Sequence, residues 1–276
     1  MPPLLRPLVP ADVPALAALA AARGGPPDEV RWRVLLACGG GVGALAPDGD
    51  LAGAMVRVDH GPALATGVLV VRPGAAEAAR ALLLRAVDRG RAPLAVMAST
   101  EAVPACVAVG FHPVDGVRRY ARRGAAPAWP PPPGVALRPM SVADWPAVAK
   151  LDADAFGAPR RPVLERLFTV SERVVLSVRG GEVVGYGLAA AVAGGVRVGP
   201  IVAPDDETAA ALAAFLAQGA APRIIVDVPE ERAGLHRWAR ASGFHGAGPA
   251  PILTPGGAPL PGARERLFAL ADPCLG

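Results

Sequence analysis

The sequence predicts an α/β (α+β) chain in which one fold occurs twice in tandem, each copy being a mixed, mostly antiparallel sheet flanked by helices. The first observation is an internal repeat, because residues 5–15 (LRPLVPADVPA) return about 132 residues later as residues 137–147 (LRPMSVADWPA). A period of this size indicates two copies of a domain rather than a solenoid of short repeats. The offset holds to within one residue at three further landmarks: Gly53 and Gly185, Pro73 and Pro204, and Gly110-Phe111 and Gly243-Phe244.

The second observation is a proline-rich segment near the middle of the chain. Residues 124–134 read GAAPAWPPPPG, and their four consecutive prolines favour an extended, semi-rigid spacer. A length of 276 residues suits two domains, each long enough to bury a core. We therefore predict an N-terminal domain over residues 1–123, a linker over 124–134 and a C-terminal domain over 135–276.

The third observation is the order of elements, which is the same in both halves. In the first half, Asp48-Gly49 and His60-Gly61-Pro62 mark tight reversals between apolar runs, and Asp12 is predicted to cap the first helix. We predict strand Leu4–Pro7, helix Asp12–Ala22, strands Gly41–Ala46, Ala52–Asp59 and Leu64–Val71, helix Ala75–Asp88 ended by Gly90, strand Leu94–Met97, helix Val103–Val109 and a last strand after Gly110-Phe111.

In the second half, Gly180-Gly181 and Gly194 mark the corresponding turns, and Asp144 takes the place of Asp12 as the predicted helix cap. We predict strand Val135–Arg138, helix Asp144–Ala155, strands Arg173–Arg179, Glu182–Ala191 and Gly195–Val202, helix Glu207–Gln218 ended by Gly219, strand Arg223–Val228, helix Glu231–Ser242 and a last strand after Gly243-Phe244.

Composition excludes several classes of protein. No apolar run reaches the roughly 18 uncharged residues of a membrane span, and residues 1–10 lack a secretory signal pattern, so we expect a cytoplasmic protein with no membrane partner. The net charge of +4 is spread over dispersed arginines. Their densest cluster, residues 118–123, lacks the interleaved aromatics of a nucleic-acid platform. Three distant cysteines without CxxC spacing disfavour a disulfide framework and a metal site.

The order β-α-β-β-β-α-β-α-β, with Arg-Pro-x-x-x-x-Asp at the start and Gly-Phe near the end, resembles the GCN5-related N-acetyltransferase (GNAT) superfamily. Both halves carry these features, so the chain resembles a tandem, two-domain GNAT protein over most of its length. The resemblance implies acetyl-CoA or another acyl-CoA as co-substrate. It is more specific for fold than for activity.

The resemblance also implies a loop of pattern Arg/Gln-x-x-Gly-x-Gly/Ala between the fourth strand and its helix, where free amides bind the pyrophosphate of acetyl-CoA. Neither half keeps this pattern, and the first-half loop is about two residues short. In the second half, acidic residues 205–207 crowd the helix start and would repel phosphate. We therefore assign the cofactor site to the first half; the alternative is a capped surface helix with a solvated Arg80. The predicted cofactor-binding residues are Val70, Val71, Arg72, Ala75, Ala76 and Arg80.

GNAT enzymes place a Tyr four residues before the Gly of Gly-Phe, as general acid to the leaving thiolate. This chain has Cys106 there in the first half and Ala239 in the second. Cys106 is either that acid or a small buried hydrophobe. Glu101 and His60 are candidates for the base that deprotonates the acceptor amine. Glu101 could equally belong to a helix-opening turn, and His60 to a solvated turn.

Two residues of the second half are candidates for substrate binding. Asp227 lies inside an apolar strand, so it either faces a cleft or pairs with an arginine. Tyr186 lies on a central strand and either lines the same cleft or packs in the core.

The leading hypothesis is a GNAT-type acyltransferase that moves an acetyl or other acyl group from acyl-CoA to an amine of a small molecule by direct attack. The alternative is a GNAT-fold protein that has lost acetyl-CoA use and serves as a binding protein or as a non-acetylating enzyme of a specialised biosynthetic pathway. We expect a small-molecule substrate, no nucleic acid, and a monomer or homodimer.

Overall fold

The computed structural model describes residues 3–22, 27–88, 92–219 and 222–276. The chain divides into two compact units. Unit 1 comprises Met1–Gly116, Ala250–Leu260 and Leu275, and unit 2 comprises Val117–Pro249, Pro261–Cys274 and Gly276.

The elements follow the predicted order closely in both halves of the chain. In the first half they are β1 (Leu4–Pro7), α1 (Val13–Ala21), α2 (Glu29–Cys38), β2 (Gly40–Leu45), β3 (Leu51–Asp59), β4 (Ala65–Val71), α3 (Ala76–Asp88), β5 (Leu94–Ala98), α4 (Val103–Ala108) and β6 (Phe111–Arg123). Gly90, the predicted end of α3, lies outside the described residues.

The second half repeats this order with its own helix pair at the start. Its elements are β7 (Val135–Pro139), α5 (Trp145–Phe156), α6 (Arg161–Thr169), β8 (Ser171–Arg179), β9 (Glu182–Val192), β10 (Gly195–Val202), α7 (Asp206–Leu216), β11 (Arg223–Pro229), α8 (Ala233–Ala241), β12 (His245–Gly246), β13 (Ala250–Pro255) and β14 (Leu267–Ala269). None of the helices described here is long and apolar enough to cross a bilayer.

The sheet of unit 1 has the order β1-β2-β3-β4-β5-β13, and all its pairings are antiparallel except the parallel pair β4–β5. Alternate residues of β4, Leu69 and Val71, join Leu82 and Leu83 of α3 in one apolar cluster. Because side chains alternate along a strand, Val70 points to the opposite face of the sheet.

The sheet of unit 2 has the order β6-β11-β10-β9-β8-β7, with β12 beside β6 and β14 beside β10. Its parallel pair is β10–β11. Leu212 and Leu216 of α7 and Trp238 of α8 cover one face in a cluster that includes Val226 of β11. The predicted fold class, a mixed and mostly antiparallel sheet flanked by helices in each of two copies, is confirmed.

The two repeats exchange their last strands. Strand β13 belongs to the second repeat but pairs with β5 in unit 1, with Leu253 opposite Val96. The second half of β6 follows the first repeat but pairs with β11 in unit 2, with Tyr120 opposite Val226. Residues 117–134 are thus in unit 2, which differs from the predicted boundary, and the role of residues 124–134 as a linker stays a prediction.

The Arg-Pro-x-x-x-x-Asp motif has a different role from the helix cap that we predicted for Asp12 and Asp144. A short 3-10 turn, Pro10–Asp12, precedes α1, so the Asp12 carboxylate turns back toward β1. It accepts two hydrogen bonds from the Arg6 guanidinium, both 2.7 Å, and a third from the Val9 amide at 2.8 Å. The Arg6 guanidinium holds the pKa of Asp12 below its usual range.

The second copy of the motif has the same geometry. Arg138 donates to both oxygens of Asp144 at 2.7 and 2.6 Å, and the Ser141 amide donates at 2.8 Å. The prediction that these aspartates cap the first-turn amides was therefore wrong. The motif instead ties the first strand of each repeat to the start of its first helix.

We expect Asp12→Ala to lower the free energy of unfolding by about 2 kcal/mol, because hydrogen bonds to a charged group contribute about 1.5–3 kcal/mol. Since the folded-state pKa of Asp12 is lowered, its contribution is present above the unfolded pKa of about 3.9 and is lost as the pH falls through the folded value. Urea unfolding at pH 7 and at pH 3 measures both effects. The control is Asp154→Ala, which removes an exposed helical pair with Lys150 and should cost about 0.3–0.5 kcal/mol. Equal losses of unfolding free energy in Asp12→Ala and Asp154→Ala would contradict the role of Asp12 in tying β1 to the start of α1.

Candidate functional site

The parallel pair β4–β5 of unit 1 stops before β4 does. The ladder ends with Leu69 opposite Ala98, and the Ser99 amide donates to the Leu69 carbonyl at 3.2 Å. Strand β4 continues to Val71. Val70 and Val71, predicted to bind the cofactor, therefore lie at the carboxyl end of β4 beyond the paired region. This is the end at which the resemblance to GNAT proteins implies an acyl thioester.

The connection from β4 to α3 is four residues long, Arg72–Ala75, and turns at Gly74, where φ is +79°. Two of its amides are used internally, since Arg72 donates to the Ala52 carbonyl at 2.8 Å and Ala75 donates to the Arg72 carbonyl at 3.1 Å. The N–H groups of residues 76–78, in the first turn of α3, have no acceptor within the described part of the chain. Such amides at a helix start attract anions.

The charges around this helix start are more balanced than the sequence suggested. Arg72 lies 3.2 Å from the Asp50 carboxylate, which belongs to the turn before β3. Glu77 is exposed in the first turn of α3, and Arg80 is exposed one turn later. The predicted residues Arg72, Ala75, Ala76 and Arg80 do lie together, but Asp50 joins them from a position 22 residues upstream of Arg72.

Ser99 is a polar residue at this end of unit 1 that sequence reasoning missed. Its Oγ atom is buried and makes no hydrogen bond within the described residues, while its amide continues the β4–β5 ladder. A buried hydroxyl without a partner costs free energy unless a ligand or water satisfies it. The available signal was its position as the first polar residue after the apolar strand β5.

Unit 2 has the same parallel pair, but its own chain fills the gap. The β10–β11 ladder ends with Val198 opposite Val226. Strand β14 then pairs with the end of β10, with Ile201 opposite Ala269, and the Leu270 amide donates to the Asp227 carbonyl on β11 at 2.9 Å. The segment therefore occupies the space between the two strands.

The packing of this inserted segment is tight. Phe268, Ala269 and Leu270 are each less than 5% exposed. A Cβ atom on Gly199 would lie 2.1 Å from the Leu270 carbonyl oxygen, so the two backbones are in direct contact there. No extended ligand fits between β10 and β11 while β14 is in place.

Asp227 pairs with arginine, which was one of the two alternatives predicted for it; the other was a position facing a cleft. Arg119 donates to its two oxygens at 2.7 and 3.0 Å, and the buried Arg197 donates to the same carboxylate. Asp272, just after β14, lies 3.7 Å from Arg197. Burial opposes ionisation, but the attraction of Arg119 and Arg197 outweighs it and lowers the pKa of Asp227.

Helix α7 of unit 2 is capped at its start by a carboxylate of the chain itself. The Asp205 side chain accepts a hydrogen bond from the Thr208 amide at 2.7 Å, and Arg179 lies 3.1 Å from the same carboxylate. This cap uses one of the first-turn amides, and residues 205–207 add negative charge. The helix start is therefore unsuited to phosphate.

Tyr186 is fully buried on β9, where its hydroxyl donates to the Asp152 carboxylate. Arg160 donates two hydrogen bonds of 2.8 Å to the same carboxylate. Burial and the negative charge of Asp152 raise the pKa of Tyr186 well above its usual value. The side chain is therefore part of a buried polar network rather than the wall of an open cleft.

His60 is buried rather than a solvated turn residue, and its Nε2 atom lies 2.8 Å from the Thr66 hydroxyl. Thr66 is at the amino end of β4, five residues before Val71, which at about 3.3 Å per residue is roughly 16 Å from the carboxyl end. The β3–β4 reversal thus places His60 too far away to act as a base at Val70–Val71.

Cys106 and Glu101 have opposite environments. Cys106 is fully buried on α4 within the apolar cluster of unit 1, and burial raises the pKa of its thiol to about 11. This burial supports the interpretation of Cys106 as a packed hydrophobe. Glu101 is exposed in the turn between β5 and α4, two residues after Ser99. Of the two base candidates it is the one that follows the carboxyl end of β5.

We expect Asp227→Asn to destabilise unit 2 by about 3–5 kcal/mol, because it leaves the guanidinium of Arg197 buried without its main anionic partner. Urea unfolding followed by circular dichroism measures the loss. The matched control is Asp206→Asn, which removes an exposed contact of 3.8 Å with Arg237 and should change stability by less than about 1 kcal/mol. A loss of unfolding free energy smaller than that of Asp206→Asn would show that the packing of β14 does not depend on the network around Asp227.

Comparisons with known proteins show that part of the chain is similar to acetyltransferases. Residues 148–269 match the family model for the acetyltransferase (GNAT) domain. The chain is 30% identical over 157 residues to the uncharacterized N-acetyltransferase YitH of Bacillus subtilis (strain 168). That match covers 56% of this chain and 55% of YitH, so the chain spans about half the length of this curated relative.

Two solved structures share the fold over almost the whole chain. A GCN5-related N-acetyltransferase from Sphaerobacter thermophilus has a TM-score of 0.67 at 23% identity and covers 91% of this chain and 94% of its own. A tandem GNAT protein from the clavulanic acid biosynthesis pathway has a TM-score of 0.64 at 16% identity and covers 93% and 99%. Residues 148–269 are therefore similar to the GNAT acetyltransferase domain, and the chain has a fold similar to that of these two solved structures.

Proposed function

We propose that the chain transfers an acyl group from a pantetheine thioester, with acetyl-CoA as the reference donor, to an amine of a small molecule, and that unit 1 holds the site. One contrast supports this assignment. The gap between the parallel strands of unit 2 is filled by β14, and its helix α7 is capped by Asp205. In unit 1, helix α3 begins with first-turn amides that lack acceptors within the described residues.

The reaction is a direct displacement. The amine nitrogen attacks the thioester carbonyl carbon, the C–N bond forms, the C–S bond breaks, and the amine proton is transferred in net terms to the leaving thiolate. In this proposal the thioester carbonyl lies beside the end of β4 at Val70–Val71, the position that the resemblance to GNAT enzymes implies. We assign the first acceptance of the amine proton to Glu101, because its carboxylate is exposed at the carboxyl end of β5.

The second candidate function is a GNAT-fold protein that no longer uses acetyl-CoA, either as a binding protein or in a non-acetylating reaction of a specialised pathway. The observation that favours it is the connection Arg72–Ala75, which is short and carries a single glycine. The two candidates differ in whether a thioester donor stabilises the protein.

A saturating concentration of acetyl-CoA is expected to raise the melting temperature of the full chain. At 100 times its Kd a ligand stabilises a protein by about 2.7 kcal/mol, which corresponds to roughly 5–10 °C for a domain of this size. Ala76→Glu should abolish the shift, because it places a second carboxylate at the exposed start of α3 while favouring the helix itself.

The matched control is Glu207→Ala in unit 2, which should leave the shift unchanged because that helix start is already capped. The absence of a shift in the unaltered chain would favour the second candidate function. A shift kept with Ala76→Glu and enlarged with Glu207→Ala, which removes a carboxylate from the start of α7, would move the site to unit 2.

Two variants separate the predicted acid and base. Glu101→Gln is expected to lower kcat by a factor of about 10²–10⁴, the range typical of general acid–base catalysis, when thiol release from acetyl-CoA is followed with an amine acceptor. Cys106→Ala is expected to retain kcat and to lower only stability, since the thiol is packed in the core. Loss of kcat with Cys106→Ala at unchanged melting temperature would restore the thiol as the acid.

A further inference from the structure

The sulfur atom of the leaving thiol has no hydrogen-bond donor among the residues assigned so far. When the C–S bond breaks, its electron pair stays on sulfur, and a donor aimed at that atom stabilises the thiolate. Cys106 does not supply this donor, because its side chain is fully buried in the apolar cluster of unit 1 and burial raises the pKa of its thiol to about 11. A donor to sulfur has to come from another residue near the end of β4.

The backbone of Ser99 is held in place on both sides. Its amide donates to the Leu69 carbonyl of β4 at 3.2 Å. Its carbonyl accepts from the amides of Ala102 and Val103, at 2.8 and 3.2 Å, at the start of α4. Ser99 is therefore fixed beside the carboxyl end of β4, at the point where the ladder between β4 and β5 stops.

The side chain of Ser99 is on the face of the sheet that Val70 occupies. Leu69 and Ala98 are paired at the end of the ladder, and both join the apolar cluster that includes α3. Because side chains alternate along a strand, the next residues, Val70 and Ser99, point to the opposite face. The Ser99 side chain thus lies beside the strand end at which we place the thioester.

The Ser99 hydroxyl makes no hydrogen bond within the described part of the chain. Its Oγ atom is covered, but the residue as a whole is only partly buried. Rotation about the Cα–Cβ bond between staggered positions therefore turns the hydroxyl toward the exposed side without breaking a hydrogen bond. A buried donor without an acceptor costs free energy, and an acceptor atom of a ligand removes that cost.

The matching residue of unit 2 has no hydroxyl. Val96 of β5 and Val226 of β11 hold equivalent positions in the two exchanged-strand pairings described above. Ser99 follows Val96 by three residues, and Pro229 follows Val226 by three. Proline carries no side-chain donor. Of these two equivalent positions, only the one in the unit to which we assign the reaction has a donor.

We propose that Ser99 is a catalytic residue of unit 1 whose hydroxyl donates a hydrogen bond to the thioester sulfur as that atom becomes a thiolate. The C–N bond forms, the C–S bond breaks with its electron pair going to sulfur, and the amine proton goes first to Glu101 and in net terms to the thiolate. Ser99 keeps its own proton, so it stabilises charge and does not act as an acid. This rests on the proposed acyl transfer and adds the donor to its leaving group.

Ionisation of bound CoA tests the contact with sulfur without turnover. The pH of the full chain with saturating CoA is raised through about 8.5, the pKa of a free thiol, and the ultraviolet absorbance of the thiolate is followed. The blank is the complex with desulfo-CoA, which lacks the sulfur atom. We expect the pKa of the bound thiol to be at least about one unit higher in Ser99→Ala than in the unaltered chain, because a hydrogen bond to a charged group is worth about tenfold or more.

The matched control is Thr100→Ala, which removes an exposed hydroxyl from the next residue and should leave the pKa of the bound thiol unchanged. The same pKa in Ser99→Ala and in the unaltered chain would overturn the contact with sulfur. So would a rise in Thr100→Ala equal to that in Ser99→Ala.

Kinetics and stability separate catalysis from a structural role. Ser99→Ala is expected to lower kcat at least about tenfold and to leave KM for acetyl-CoA within about threefold, since the hydrogen bond strengthens only as the C–S bond breaks. Without ligand, its melting temperature should not fall, because the hydroxyl that it removes has no partner among the described residues. An unchanged kcat, or a lower melting temperature with an unchanged pKa of the bound thiol, would overturn the catalytic role.

Glu101→Gln distinguishes the donor from the base. It should lower kcat, as predicted above, and leave the pKa of the bound thiol unchanged, because Glu101 acts on the amine. Failure of CoA and acetyl-CoA to bind the unaltered chain would remove the proposed function itself. Normal binding and turnover, with the same pKa of the bound thiol in Ser99→Ala, would remove only the role of Ser99.

Discussion

Backbone hydrogen bonding at the carboxyl ends of the two parallel strand pairs governs what each repeat can do. A parallel ladder that ends before its strands end leaves amides and carbonyls that must find other partners, since an unpaired buried polar group costs about 1–3 kcal/mol. In unit 2 the chain supplies these partners itself, through β14 and the bond from Leu270 to Asp227. The carboxyl end of that parallel pair is therefore paired within the chain itself.

Side-chain charge at the start of the following helix also distinguishes the two repeats. Both copies keep the strand order, the parallel pair and the Arg–Asp pair at the first strand. In unit 2, Asp205 caps the helix that follows the parallel strand, whereas in unit 1 the corresponding helix begins with small side chains, Ala76 and Ala78, and a single Glu77. An anion binds best at a helix start that the protein has not already capped with a carboxylate, and this is the electrostatic basis of our proposal that unit 1 holds the site.

Local patterns in the sequence predicted most of the fold, because alternation, turns and the repeat all act over short distances. The Arg-Pro-x-x-x-x-Asp motif was found but misinterpreted, since the 3-10 turn that reverses the Asp12 carboxylate has no sequence signal of its own. The site was predictable only in part. The pair of Arg72 with Asp50 spans a whole strand, and the insertion of Leu267–Ala269 between β10 and β11 depends on long-range pairing that an apolar tripeptide does not specify.

The buried charges of unit 2 follow from the same constraint. An ion network such as Asp227 with Arg119 and Arg197 adds little net stability compared with apolar residues of the same volume. Removing any one member, however, leaves an unpaired buried charge and costs several kcal/mol. Any single substitution in such a network lowers the stability of the fold, whereas replacing all its members together by apolar residues would leave the stability nearly unchanged. Tyr186 and Asp227, which resemble ligand-binding residues in the sequence, therefore each belong to a buried polar network of unit 2, Tyr186 with Asp152 and Asp227 with Arg197.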